Sequence, residues 1–125
     1  MIPCDFDAGM LAYLGDSVWE LLVRERIFKT VPHGNKKANK LALEFVTARA
    51  QCQALEKMEE LFTDDENEVF RWGRNLKTHS HAPSVSIVDY RRATGLEVLF
   101  GYLHVTNNEK RYRELFEKAF CEGNC

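Results

Sequence analysis

The stretch Leu11-Ala12-Tyr13-Leu14-Gly15-Asp16-Ser17-Val18-Trp19-Glu20-Leu21-Leu22-Val23 holds no proline, and its apolar residues recur every three or four positions. That period is helical. Over a helix from about Asp7 to Thr30, Met10, Leu11, Leu14, Val18, Leu21 and Leu22 fall on one face, which is expected to be the core stripe. Ala12, Trp19, Val23 and Ile27 make a second apolar stripe on nearly the opposite side, with Tyr13, Ser17, Glu20 and Arg24 as a polar seam between. A helix apolar on two sides wants two partners, for which its own domain and another subunit are one pairing. Asp16 falls in the second stripe, and Gly15 before it removes a side chain where close packing or a close ligand would need the room.

Outward from this helix the chain reads as helix almost throughout, because glycine and proline are scarce and β-branched alternation is nearly absent. Val31-Pro32-His33-Gly34 ends the first helix, and a second is expected over about Asn35 to Met58. Thr63-Asp64-Asp65-Glu66 is a capping box that opens a third helix ending near Asn75. Lys77 to Val85 reads as a polar loop; Ser86 and Asp89 open an apolar helix to about Val105; Asn107-Asn108 breaks the chain before a last amphipathic helix, Glu109 to Phe120. The expected fold is an all-α bundle, one domain over residues 1–125 with a core of about 7–121.

Totals narrow the function classes. At 125 residues and 45% hydrophobic, the chain supports one core rather than two or a disordered tail. No apolar run reaches bilayer length and the start, Met1-Ile2-Pro3-Cys4-Asp5, has no export signal, so a cytoplasmic protein with no membrane partner is expected. Cys4, Cys52, Cys121 and Cys125 lack the spacing of a disulfide framework or of paired zinc ligands, and are expected to be reduced thiols; a zinc site of Cys121 and Cys125 with His79 and His81 is the less favoured reading. The net charge of −2 argues against indiscriminate nucleic-acid binding, but the charge is segregated. Residues 56–68 carry Glu56, Glu59, Glu60, Asp64, Asp65, Glu66 and Glu68 against Lys57, whereas residues 71–92 carry Arg71, Arg74, Lys77, Arg91 and Arg92 against Asp89. Lys36, Lys37 and Lys40 form a third cluster. Such a pattern fits a basic surface facing a polyanion as well as an ordinary solvated surface.

A second acid stands out. In the helix after Ser86, Leu96, Leu99, Phe100 and Leu103 form one face and Val98, Tyr102 and Val105 another, leaving a narrow row of Tyr90, Thr94, Glu97, Gly101 and His104. An ionised Glu97 stripped of water would cost several kcal/mol without compensation. A salt bridge to Arg24, Arg91 or Arg92 is the plainer compensation, a bound cation or protonation the others. His104 reads as a hydrogen-bonded core histidine, and Trp19 and Trp72 as packing residues.

Leu11-Ala12-Tyr13-Leu14-Gly15-Asp16-Ser17-Val18 resembles the signature helix of the ribonuclease III family, and Thr94-Gly95-Leu96-Glu97-Val98-Leu99-Phe100-Gly101-Tyr102-Leu103 resembles its second acidic helix. Arg71-Trp72-Gly73-Arg74-Asn75-Leu76-Lys77, Tyr90-Arg91 and Val46-Thr47-Ala48-Arg49-Ala50-Gln51 are similar to segments of the mini-ribonuclease III branch. The likeness covers about Leu11 to Leu103, and the order and spacing make it specific where a lone Gly-Asp-Ser would not be.

The resemblance implies an all-helical endonuclease domain, dimeric through the signature helix, that hydrolyses double-stranded RNA with Mg²⁺ (Mn²⁺ substituting) and leaves 5′-phosphate and 3′-hydroxyl ends. It makes Asp16 and Glu97 the catalytic and metal-holding pair and, within the mini branch, the precursor of large-subunit ribosomal RNA the substrate. No organic cofactor is implied. Positions that carry further acids in longer ribonuclease III proteins are here Gly9, Ala12 and Thr94, a thinning the mini branch shares. About twenty residues follow Leu103, so no double-stranded-RNA-binding domain is expected. Arg71, Arg74 and Lys77 are the first candidates for RNA contact, Lys36, Lys37 and Lys40 the second. Glu20, one turn beyond Asp16, could back the site but fits an ion pair with Arg24 better; Thr94 is the other candidate for support. Two competing readings are a non-catalytic dimeric RNA-binding module of the same fold, and an all-α nucleoside triphosphate pyrophosphohydrolase built on Glu56, Glu59, Glu60, Asp64 and Asp65.

Overall fold

The computed structural model describes residues 5–30, 40, 47–76 and 86–120, and all regular structure among them is helical. In chain order the helices are α1 (Ala8–Thr30), α2 (Ala48–Met58, continued by a 3-10 turn at Glu59–Leu61), α3 (Asp64–Arg74), α4 (Ile87–Val105) and α5 (Glu109–Phe120). Helix α4 is central: α1, α2, α3 and α5 all pack against it.

The helix starts are set by short polar side chains that satisfy otherwise orphaned N–H groups. The Asp7 carboxylate accepts from the amides of Gly9 (2.8 Å) and Met10 (3.3 Å). Thr63 and Glu66 form the reciprocal box expected of them, and Ser86 accepts from the amide of Asp89 at 3.0 Å. At the far end of α4, Asn107 sits in the left-handed region (φ 63°), and the amides of Asn107 and Asn108 turn back to the carbonyls of His104 and Leu103. Asparagine tolerates that conformation better than most side chains, and the closed turn launches α5.

One expected helix is shorter than its reading. The structure does not run helix unbroken to Met58 from about Asn35: Thr47 is extended (φ −70°, ψ 156°) and its hydroxyl accepts from the amide of Ala50, so α2 begins at Ala48. A threonine that caps a helix competes with one that continues it, and here the cap wins. Lys40 is helical and exposed.

The core stripe of α1 also differs. Leu11, Val18, Trp19, Leu22, Val23 and Ile27 are buried with Gly15, whereas Met10 and Leu21, expected inside, are 62% and 51% exposed. The helix turns the second stripe inward because Trp19 fills the space between α4 and α5, edge-on to Phe100 and Phe116. The two-sidedness survives in another register: Met10, Tyr13, Leu21 and Phe28, the last 86% exposed, are the outward apolar row. No helix among the described residues is long and apolar enough to cross a membrane.

Candidate active site

Two glycines decide how close α1 and α4 come. A Cβ on Gly15 would stand 1.7 Å from the carbonyl oxygen of Glu97, and one on Gly101 would stand 2.1 Å from that of Leu11. The two backbones are in contact, and the acids at this crossing, Asp16 on α1 and Glu97 on α4, are brought together. Asp16 is exposed, while Glu97 is partly buried. Their carboxyls are within hydrogen-bonding reach of each other. Burial first, and the negative charge of Asp16 second, push the Glu97 carboxyl up from its ordinary 4.5 to about 8.

Three expectations for Glu97 can be weighed on this geometry. The plainer one, a salt bridge, fails among the described residues. Arg24 is held by Glu20 at 2.6 Å and Arg92 by Glu59, and neither Asp16 nor Glu97 has a guanidinium. A proton and a bound cation are the other two. The donor set is a pair: among the described residues no group of three or more His, Cys, Asp or Glu side chains comes together. The third polar group on Glu97 is an amide, Nε2 of the buried Gln51 on α2, 3.4 Å from Oε2. Sequence reasoning placed Gln51 only inside a family-like segment and gave it no role; nothing in the periodicity of α2 marks one polar residue on an apolar face as pointing at an acid two helices away.

The other candidates fall as follows. Glu20 is engaged by Arg24, as expected, and the Thr94 hydroxyl is turned back on the Tyr90 carbonyl at 2.9 Å. Arg71 is exposed and Arg74 half-exposed, the latter with its guanidinium over the Phe70 ring. They flank Gly73, whose missing Cβ lets α3 lie against Gly95 and Val98 of α4, next to Glu97. Lys36, Lys37, Lys77, the loop to Val85, His79, His81, Cys4, Cys121 and Cys125 lie outside the described residues. Cys52 is a free, buried thiol. His104 is hydrogen-bonded to Tyr112, as expected, but through Nδ1 at an exposed position rather than in the core. Trp19 is a packing residue, 1% exposed, and Trp72 packs against the edge of the core.

The acids of the pyrophosphohydrolase reading do not converge. Glu59 pairs with Arg92, Asp64 and Asp65 occupy the first turn of α3, and Glu66 is locked between Thr63 and Arg111.

A family model described as the ribonuclease III domain matches residues 9–108. The chain belongs to the ribonuclease III family. Within that family it is similar to proteins named mini-ribonuclease 3. The one from Clostridium tetani is 37% identical over 109 residues, covering 86% of this chain and 72% of that one. The one from Symbiobacterium thermophilum is 38% identical over 112 residues, 87% of this chain and 84% of its own. A crystal structure of a Fusobacterium nucleatum protein superposes with a TM-score of 0.80 at 24% identity over 91% of both chains, which shows the shared fold. Membership of the ribonuclease III family makes the chain an endoribonuclease, and the fold is that family's all-helical domain.

Proposed function

We propose that this ribonuclease III protein is a divalent-metal-dependent nuclease that cuts double-stranded RNA with Asp16 and Glu97 as its acidic pair, working as a cytoplasmic homodimer. One observation carries the reading: two carboxylates meet where α1 crosses α4, with no guanidinium on either among the described residues, and Glu97 is costly to ionise there. A hard dication relieves that cost. Mg²⁺ is typically held by one or two carboxylates and keeps several waters, so two acids suffice and Mn²⁺ can stand in.

When bound, such an ion supplies positive charge at the scissile phosphate and lowers the pKa of the attacking water. The remaining work belongs to the chain. Gly15 and Gly101 hold the two helices so close that Asp16 and Glu97 lie side by side, and the exposed Asp16 faces an approaching phosphate. Arg71 and Arg74, with Lys77 beyond them, bear on the phosphates of an A-form duplex, which is read by shape more than by base; Lys36, Lys37 and Lys40 add a second contact. Glu20 and Thr94, each already engaged within its own helix, take no direct part. A second copy packs on the outward row of Met10, Tyr13, Leu21 and Phe28, which gives two cutting sites about one axis. The products carry 5′-phosphate and 3′-hydroxyl ends, and the substrate is the precursor of large-subunit ribosomal RNA, as the resemblance of its segments to the mini branch implies.

Incubation of the protein with duplex RNA and Mg²⁺, with end-group analysis of the products, tests this. The wild type is expected to cut. Asp16→Asn and Glu97→Gln are expected to bind duplex as dimers without cutting. Undiminished cutting by either variant overturns the assignment; binding without cutting by the wild type selects the RNA-binding module instead.

A further inference from the structure

We infer that Gln51 is a positioning residue of this site: its buried amide holds the Glu97 carboxylate toward Asp16 while adding no charge. The inference rests on the nuclease reading above. Its geometry is independent of it.

Gln51 is 2% exposed and lies in the first turns of α2, on a face otherwise made of Cys52, Ala54, Leu55 and Met58, all buried. An amide taken from water into such surroundings costs free energy unless its hydrogen bonds are made. The bond it does make to Glu97, at 3.4 Å, is long and returns little stability. An unbranched apolar side chain of the same length would serve the core as well or better. The amide's contribution is to Glu97.

The terminal torsion of a glutamate is broad and roughly two-fold, so an unheld carboxylate swings. A donor fixed on one oxygen limits that swing. The donor sits on a well-anchored helix: α2 is capped by Thr47, and the Cys52 thiol donates to the Asp89 carbonyl of α4 at 3.3 Å. The choice of residue follows from charge. A lysine or arginine here would also donate, but it would cancel one charge of the pair and compete with a dication. A third acid would add repulsion and donate nothing when ionised. Among long side chains, glutamine donates to a carboxylate and leaves the charge of the pair unchanged.

The test uses the metal alone and then the reaction. Mn²⁺ is titrated into wild type and Gln51→Met without RNA, with free ion read by electron paramagnetic resonance, and kcat and KM for duplex RNA are then measured. Outer partners of this kind typically alter metal affinity or activity by about tenfold or more. The expectation is a loss of about that size in Mn²⁺ affinity and in kcat, with KM unchanged and thermal unfolding of the metal-free protein no lower. Unchanged Mn²⁺ affinity and kcat overturn the inference. Should Gln51→Met not fold, Gln51→Asn, which keeps the amide but withdraws it by one methylene, is expected to show a smaller loss of the same kind, and wild-type values overturn the inference equally. Asp16→Asn, measured alongside, separates the two levels. If it still cuts, the site itself is misassigned; if it is inactive while the Gln51 variants behave as wild type, the positioning role alone falls.

Discussion

Glu66 and Glu97 are both glutamates drawn into the helical body, and the protein treats them in opposite ways. Glu66, 7% exposed, closes a capping box with Thr63 and receives two guanidinium bonds from Arg111, at 2.7 and 2.8 Å. Burial alone would raise its pKa; Arg111 and Thr63 outweigh that and hold it below the ordinary carboxylate value. Glu97 keeps some accessible surface but has more protein packed around its carboxyl, and its neighbours are another acid and an uncharged amide. One acid is completed from within the fold. The other has no cationic partner among the described residues, and the helix crossing that seats it is enforced by backbone contact. A buried carboxylate is therefore a functional pointer only once its partners are known.

The largest way to break this contrast is to push the helices apart. Gly15→Ala places a methyl 1.7 Å from a backbone carbonyl, where no flexible side chain can yield, so it is expected to cost about 3 kcal/mol or more and to abolish cutting. A wild-type denaturation curve for this variant would mean that the crossing is not the constraint described. Next in size is the exchange of stability against activity. Glu66→Ala orphans Arg111 and uncaps α3, and should lose about 2 kcal/mol, discounted because Arg111 is a quarter exposed. The molecules that remain folded should still cut RNA. Glu97→Gln should do the reverse, with no loss of stability in metal-free buffer and no cleavage. Urea melts paired with single-turnover assays would show both halves.

How much of this was readable beforehand divides along physical lines. Caps and breaks were legible because they are local: Thr63 with Glu66, Ser86 with Asp89, and Asn107-Asn108 each act within a few residues. Asp16 and Glu97 stood out as acids on apolar helices, and the family-like segments around them fixed their pairing. The inward face of α1 was misread because two apolar stripes of similar strength compete, and only the fit of Trp19 against Phe100 and Phe116 selects one. The start of α2 was misread because Thr47 can cap or continue a helix with equal local plausibility. Gln51 was out of reach: its significance is a contact between residues 46 positions apart, and no periodicity encodes that.

The pH dependence is the most discriminating comparison, because it reads the two glutamates in one experiment. In metal-free protein the folded pKa of Glu97 is about 8 against an ordinary 4.5, so its protonated form favours folding. Its contribution is fully present below about 4.5 and is lost as pH rises through about 8. Glu66, held low by Arg111, contributes in the opposite sense: present above the ordinary value, and lost as pH falls through its folded one. In a chelating buffer, Tm should thus decline from about pH 5 to about pH 9, and Glu97→Gln should flatten that decline while leaving the acid limb intact. Asp16→Asn should flatten it only in part, since burial, not the neighbouring charge, is the first cause of the shift. Mg²⁺ must displace the Glu97 proton to bind, so it should raise Tm more near pH 8 than near pH 6, by an amount that grows with its concentration over Kd. Parallel curves for wild type and Glu97→Gln, with Mg²⁺ adding the same increment at every pH, would mean that Glu97 is as well partnered as Glu66 and that the acidic pair asks nothing of a cation.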